Sequence, residues 1–249
     1  MKKRIIMIMG VQRSGTTALF DAFDVEGVTS FQEKLNDLLY DDYYLRPEPV
    51  IHEILHLAPG TVLLKPISET MRRNVSDVLC EYEAYDLSVV WIYRDPVNVF
   101  HSMEREGWTL VKDDALKLTR EWNKRNRSML ECLPEQADRI TVVRYEDLVT
   151  SPEALQALGR FLGIPVKGVF RKDSRAGRQA VPADFQTVID GETRETLAML
   201  DAARTFLPPA WVAGQFIART GASPCPFQRR VTYSPHRLIF HQVGGVIPD

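Results

Sequence analysis

The sequence predicts an α/β fold in which helices flank a central parallel β-sheet. Short, largely apolar runs alternate with longer segments of helical periodicity, which is typical of parallel strands joined by helical crossovers. The runs lack a regular alternation of polar and apolar residues, as expected for strands buried on both faces. The expected strands are residues 5–9, 61–64, 87–93 and 140–143, with a shorter strand near 27–30.

Helical periodicity predicts helices in most of the intervening segments. Asp95 is expected to cap the helix that begins at Pro96, because Asp favours the N-cap and Pro the first helical position. Ser68 is the candidate N-cap of an earlier helix, and the polar, proline-rich stretch over 41–49 predicts a loop. The other expected helices start near residue 18 or span 31–39, 50–57, 68–82, 112–133, 151–162 and 193–207.

Length, charge and cysteine content narrow the class of protein. A chain of 249 residues can form one α/β domain with a full core, and we expect a single domain over 1–249 with an irregular segment from about residue 208. A formal net charge of −2 argues against a general nucleic-acid-binding protein. No apolar stretch has the length of a membrane span. Three widely separated cysteines without metal-site or disulfide spacing indicate a cytoplasmic protein, whose oligomeric state the sequence leaves open.

The N-terminal strand leads into a loop that has the composition of an anion-binding site. Gly10 and Gly15 bound the loop, and the chain turns helical directly after it. A P-loop-like strand–loop–helix of this kind directs backbone N–H groups and the positive end of the helix dipole at a bound anion. The polar side chains that the loop adds are Gln12, Arg13, Ser14, Thr16 and Thr17.

The order of these residues differs from that of a nucleoside-triphosphate loop. Gly10 and Gly15 have the spacing of the G-x-x-x-x-G-K-[ST] motif, but Thr16 occupies the lysine position. The cation lies before the second glycine, at Arg13. The alternative is an ordinary strand–helix turn that binds nothing.

A second candidate anion site follows the 87–93 strand. Arg94 comes directly after that strand, where ligands of parallel sheets gather, and Ser102 lies two turns into the next helix. The pair is arranged to hold a second phosphate. The alternative is that Arg94 forms a salt bridge with Asp95 or another neighbour and that Ser102 is an ordinary helix-surface residue.

These segments resemble the sulfotransferases that use 3′-phosphoadenosine 5′-phosphosulfate (PAPS). Residues 12–19 resemble the family's 5′-phosphosulfate loop, in which a lysine or arginine precedes S/T-G-T-T. R-D-P with a serine eight residues after its arginine resembles the 3′-phosphate site. The segment 142–165, with Y-E-D-L and a later F-L-G, is similar to a third family segment, and this resemblance places Tyr145 beside the adenine.

The resemblance implies sulfonate transfer from PAPS to a hydroxyl or amine, with release of 3′-phosphoadenosine 5′-phosphate (PAP) and without a metal. It places Arg13 at the bridging oxygen, where a guanidinium acts as an electrostatic clamp. Lys65 stands where many cytosolic relatives have a lysine. The resemblance implies that Lys65 and Ser102 are catalytic residues together with Arg13. The resemblance further implies that a basic residue of the segment 171–178 reaches the 3′-phosphate. The candidates, which also fit a solvated basic loop, are Arg171, Lys172 and Arg178.

One expected catalytic group, the histidine that follows the lysine in many relatives, is missing after Lys65. In another branch of the family, a glutamate after the first helix is the general base, and Glu33 lies in the matching stretch. The alternative reading is an exposed acid near a helix N-terminus. The rival bases are Asp41, Asp42, His52, His56 and Glu69.

The expected acceptor is a small molecule. A cluster of acids around the 41–49 loop makes a cationic acceptor a hypothesis, although solvated loop acids have the same pattern. These acids are Asp37, Asp41, Asp42 and Glu48. Two other classes stay open, a P-loop nucleotide kinase and a non-catalytic PAP-binding homologue.

Overall fold

The computed structural model describes residues 2–33, 37–106, 115–168 and 183–205. The strands are β1 (Arg4–Met9), β2 (Val28–Gln32), β3 (Tyr40–Asp41), β4 (Tyr44–Leu45), β5 (Thr61–Lys65), β6 (Asp86–Tyr93) and β7 (Ile140–Arg144). The helices are α1 (Thr16–Phe23), α2 (Glu48–Leu57), α3 (Ile67–Arg72), α4 (Val75–Glu81), α5 (Pro96–Arg105), α6 (Ala115–Gln136), α7 (Tyr145–Thr150), α8 (Pro152–Leu162) and α9 (Ala183–Ala203).

Five strands form a parallel sheet in the order β2-β5-β1-β6-β7, which confirms the predicted fold class. The strand β1 is central and pairs with β5 on one side and β6 on the other. Its residues Ile5 to Met9 are fully buried, because helices cover both faces of the sheet. The chain crosses from one side of β1 to the other, so a crevice lies at the carboxyl ends of β1 and β6.

The helices divide between the two faces of the sheet. The helices α1, α7 and α8 pack on one face, around Ile6 and Ile8. The helices α2, α4, α5, α6 and α9 pack on the opposite face, around Ile5, Met7 and Met9. The rigid three-layer core holds the loops at the carboxyl edge of the sheet.

Three helix predictions differ from the structure. The predicted 31–39 helix is wrong in its described residues, because Phe31 and Gln32 pair with Leu64 and Lys65 and extend β2, and residues 37–39 are not helical. The predicted 68–82 helix is broken into α3 and α4 by the extended backbone of Arg73. The last helix begins at residue 183 and not at 193.

The tertiary structure explains the first of these differences. Pairing with β5 supplies the backbone hydrogen bonds of Phe31 and Gln32, so that sheet formation overrides the local helical pattern. Ser68 does not cap a helix, because it lies inside α3, which begins at Ile67 after the N-cap residue Pro66. The 41–49 loop contains the β3–β4 hairpin and the first residues of α2. The irregular segment from about 208 lies outside the described residues, and the single domain over 1–249 stays a prediction.

Candidate active site

The N-terminus of α1 offers backbone amides to a ligand. Gly15 precedes the helix at φ 100°, and no side chain caps it. The first helical hydrogen bond runs from Leu19 N to Gly15 O at 3.0 Å, so the amides of the first turn, from Thr16 to Ala18, are available to an anion, whereas Ser14 N donates to Val11 O at 3.1 Å. Gly10 packs closely against β6, because a Cβ atom at this position would overlap the carbonyl of Ile92. The predicted cradle is therefore formed by the backbone.

Arg13 projects from this loop towards α5. Its backbone adopts the left-handed conformation with φ 67°, which is uncommon for a residue with a side chain. Its Nε donates to Ser102 Oγ at 3.1 Å, and its Nη2 contacts Glu106 Oε1 at 2.7 Å. The structure thus joins two predicted site residues, Arg13 and Ser102, and adds Glu106. The serine–glutamate spacing of four along the chain could have indicated this residue.

Arg94 lies under the same loop. Its Nη1 donates to the carbonyl of Arg13 at 3.4 Å, and its Cζ stands 4.5 Å from the centre of the Tyr145 ring. Burial lowers the pKa of the Arg94 guanidinium, and Arg105 and Arg13 lower it further, whereas Tyr145 and Glu146 oppose the change. A bound anion would relieve this concentration of positive charge. The side chains of Arg94 and Asp95, both described, form no salt bridge, so the structure does not support that form of the alternative.

The ring of Tyr145 contacts the other side of the loop. A Cβ atom at Gly15 would overlap the Cδ2 and Cε2 atoms of the ring. The side chain is mostly buried, with 9% of its surface exposed. The Tyr145 ring therefore contacts both Gly15 and Arg94. These contacts go beyond the predicted place of Tyr145 beside the adenine.

Glu146, which the sequence did not single out, connects the start of α5 to the end of β7. Its Oε1 accepts from Asp95 N at 3.2 Å and from Asn98 Nδ2 at 3.3 Å. Its Oε2 accepts from Arg144 Nε at 3.2 Å. Asp95 Oδ1 in turn accepts from Val97 N at 2.9 Å, which confirms the predicted cap of α5.

Lys65 ends β5 beside the loop. Only 7% of its surface is exposed, and its Nζ donates to Thr17 Oγ1 at 3.0 Å. The structure therefore brings Lys65 to the first turn of α1, next to the predicted anion cradle. Thr16 is buried at the start of the same turn, and Gln12 is half-buried ahead of Arg13.

Glu33 lies at the same edge of the sheet. Its Oε1 accepts from Ser68 N at 2.7 Å, which holds the carboxylate at the start of α3. Burial raises the pKa of Glu33 from its ordinary value of 4.5, although the hydrogen bond to Ser68 and the charge of Lys65 act in the opposite direction. A carboxyl group with a raised pKa is a better proton acceptor when it is ionised.

Several acids of the acceptor hypothesis have local partners. Asp41 pairs with Arg46 at 4.0 Å, and Glu48 contacts His52 at 3.3 Å. Asp37 Oδ1 accepts from Leu39 N at 3.0 Å. Asp42 is exposed in the hairpin turn. A cationic acceptor therefore stays a prediction.

Two rival bases also have structural contacts. His52 Nδ1 lies 2.5 Å from Tyr85 Oη, and Tyr85 precedes β6. His52 is therefore near the amino edge of the sheet, opposite the loop. Glu69 faces Arg73 at 3.6 Å. His56 is in the last turn of α2, which leads into the start of β5 at Thr61, so it too is near the amino edge of the sheet.

Three predicted cofactor residues, Arg171, Lys172 and Arg178, lie outside the described residues. Among the residues that the structure does describe, no group of three or more His, Cys, Asp or Glu side chains could hold a metal ion. The described helices likewise include none that is both long and apolar enough to cross a membrane.

A comparison of sequences finds similarity to one known family. Residues 86–168 match the model described as the sulfotransferase family. The matched segment runs from β6 to the end of α8, so it includes Arg94, Ser102 and Tyr145 but not the N-terminal loop. No curated protein sequence matches the chain.

Solved structures match over most of the chain. A sulfotransferase from Alicyclobacillus acidocaldarius aligns with a TM-score of 0.58 at 14% identity and covers 85% of this chain and 99% of its own. The sulfotransferase domain of the curacin biosynthetic pathway aligns at 0.55 and 19% identity, over 80% and 98%. The sulfotransferase domain of the Synechococcus PCC 7002 olefin synthase aligns at 0.50 and 19% identity, over 84% and 98%. At these identities the similarity establishes the fold.

Proposed function

We propose that this chain, a member of the sulfotransferase family with the P-loop-like fold, transfers a sulfonate group from PAPS to an acceptor and releases PAP. The acceptor in this proposal is a hydroxyl or amine of a small molecule. The observation that carries the proposal is the contact of Arg13 with Ser102, at 3.1 Å. This contact brings together two motifs, each of which resembles a protein site that binds one phosphate of PAPS.

The described residues fit a donor with two separate phosphates. Ser14 Oγ and Arg94 Nε are both buried and lack a hydrogen-bond partner among the described residues. Buried polar atoms normally have partners, and anionic oxygens would supply them here. The amides at the start of α1 fit the 5′ group, and Arg94 with Ser102 fits the 3′-phosphate. Tyr145, stacked on Arg94, offers one wall for the base.

When bound, PAPS supplies an activated sulfonate on a phosphate leaving group. The guanidinium of Arg13 stabilises negative charge that develops on that phosphate. The α1 amides and the hydroxyls of Thr16 and Thr17 hold its oxygens in place. Lys65 keeps Thr17 oriented through their 3.0 Å hydrogen bond and adds positive charge at the same edge.

Glu33 accepts the proton of the acceptor in this proposal. Its hydrogen bond from Ser68 N fixes the carboxylate at the start of α3, where it can receive a proton from the attacking hydroxyl or amine. Burial favours the protonated form of Glu33, so proton transfer to it is easier than to a solvated glutamate. The nearby Lys65 stabilises the ionised form before transfer.

Binding measurements test the donor assignment. Calorimetry should show that PAP binds at least tenfold more tightly than AMP, since one phosphate contact with an arginine contributes about 1.5–3 kcal/mol. ATP is the control for a nucleotide kinase. Equal or weaker binding of PAP would contradict the 3′-phosphate site, and a preference for ATP would favour the kinase.

Turnover measurements test the transferase assignment. A PAPS assay with a panel of phenols, alcohols and amines should detect release of PAP that depends on an acceptor. Cationic and neutral members of the panel separate the two acceptor hypotheses. Tight PAP binding without turnover on any acceptor would favour a non-catalytic PAP-binding protein. The cytoplasmic location and the absence of nucleic-acid partners stay predictions.

A further inference from the structure

The C-terminal part of α5 and the residue that follows it hold the guanidinium of Arg13 at two points. Ser102 accepts from Nε at 3.1 Å, and Glu106 contacts Nη2 at 2.7 Å. Ser102 lies in the last two turns of α5, and Glu106 is the residue that directly follows the helix, in a turn closed by the bond from Glu106 N to Met103 O at 3.1 Å. Nε and Nη2 form one edge of the planar guanidinium, and that edge is therefore engaged by the end of α5 and the turn after it.

This two-point contact requires an arginine. A guanidinium has five N–H donors in a rigid plane, whereas a lysine presents a single rotatable nitrogen. The sequence has arginine at position 13, where the related loops have a lysine or an arginine. With one edge held by the end of α5 and the turn after it, the plane of the Arg13 side chain is set by this segment and not by the loop alone.

The charge of Glu106 acts on the same site. Both side chains are partly exposed, 30% for Arg13 and 44% for Glu106, so the ion pair is accessible to water and salt. A carboxylate 2.7 Å from Arg13 offsets part of the positive charge that would attract an anionic donor. Glu106 would therefore favour turnover by orienting the Arg13 guanidinium, whereas its negative charge would weaken donor binding.

We propose that Glu106 is a positioning residue that acts through Arg13, orienting its guanidinium for transfer while weakening the binding of the anionic donor. The inference rests on the proposed function, because it concerns the same donor site. Orientation depends on the hydrogen bond that Glu106 accepts, and the weakening of donor binding depends on its negative charge.

Two variants separate these effects. Glu106→Gln keeps an oxygen acceptor and loses the charge, so kcat should stay within about twofold while PAP binds about two- to fivefold more tightly, the range of an exposed ion pair. Glu106→Ala loses both, so PAP binding should tighten similarly while kcat falls about tenfold through misplacement of Arg13. Calorimetry with PAP gives the first readout, and kcat and KM for PAPS give the second.

The control is a carboxylate–arginine pair away from the site. Glu121 on α6 pairs with Arg125 at 3.1 Å and is 45% exposed, close to the 44% of Glu106. Glu121→Gln and Glu121→Ala should change neither PAP affinity nor kcat. Arg13→Lys supplies a second test, because in that background Glu106→Ala should no longer lower kcat.

The outcomes are distinguishable from failure of the proposed function. If the unmodified protein binds no PAP, both the proposed function and this inference are overturned. If it binds PAP but Glu106→Gln lowers kcat as much as Glu106→Ala, or if Glu106→Ala still lowers kcat tenfold in the Arg13→Lys background, only the inference is overturned. Unchanged PAP affinity in both Glu106 variants would also overturn it.

Discussion

The ring of Tyr145 packs directly against Gly15, so closely that a single added methyl group on the glycine would overlap it. This contact joins the loop after β1 to the segment after β7. The Tyr145 ring also faces Arg94, whose Cζ lies 4.5 Å from the ring centre. The two candidate phosphate sites are thus held together by one aromatic side chain.

Gly15→Ala should destabilise the protein and weaken PAP binding. The new Cβ atom would overlap Tyr145, which costs about 1–3 kcal/mol in a packed environment, and the φ of 100° adds backbone strain. Gly163→Ala is the matched control, because φ is 67° there and nothing lies within 4 Å of the added atom. Urea unfolding and PAP calorimetry should show a larger loss of stability at position 15 and a loss of PAP affinity there alone. Normal PAP affinity in Gly15→Ala would contradict the contact.

Arg13→Ala should lower kcat by about two to three orders of magnitude, the usual cost of removing one donor that stabilises the transition state. PAP affinity should fall less, because the α1 amides remain. Arg127→Ala is the control, since Arg127 forms a 2.7 Å ion pair with Glu195 between α6 and α9. Steady-state kinetics with PAPS check the result. Turnover near that of the unmodified protein would show that Arg13 has only a structural role.

Arg94→Ala should abolish most of the preference for PAP over AMP. Arg94 is the buried cation of the proposed 3′-phosphate site, so its loss should reduce the PAP affinity at least tenfold while AMP affinity changes little. Arg94→Lys keeps a charge but loses the planar stack on Tyr145, and an intermediate preference is expected. Calorimetry with both nucleotides makes the comparison. A retained preference in Arg94→Ala would move the 3′-phosphate to another basic residue.

Glu33→Gln should reduce turnover severely and leave PAP affinity nearly unchanged, because the amide keeps the shape and loses the base. For the unmodified protein, kcat should rise with pH through a pKa above the ordinary 4.5 of glutamate. The variant should lack this rise. Glu69→Gln is the control on α3, and a larger effect there would transfer the role of base to Glu69.

The same substitution should affect stability in a pH-dependent way. The pKa of Glu33 is raised in the folded protein, so its contribution to stability is complete below the unfolded pKa and is lost as pH rises through the folded pKa. Glu33→Gln avoids that loss and should be at least as stable as the unmodified protein at pH 7. Chemical unfolding at pH 7 and pH 4 should show this advantage only at pH 7. A variant that is less stable at pH 7 would contradict the burial of the carboxylate.

Local sequence patterns were sufficient for much of the fold. The central strand β1, the loop and α1 follow one another within residues 4–23, and their signals are short-range: an apolar run, two glycines and a helical pattern. The cap of α5 by Asp95 and the end of α8 at Gly163 are equally local. These predictions were confirmed because each depends on the backbone preferences of a few adjacent residues.

Predictions failed where distant partners decide the structure. Residues 31 and 32 have a helical pattern, but pairing with β5 makes them a strand. The sequence alone assigned Arg13 and Ser102 to one donor site, whereas their 3.1 Å hydrogen bond and the addition of Glu106 depend on the packing of α5 beside the loop. Local backbone preferences determine which residues form helices and strands. The contacts of the site, however, join residues at the ends of different strands. Which strand ends are neighbours depends on the order of the strands in the sheet. That order is decided by tertiary structure, when the sheet is buried between its helices.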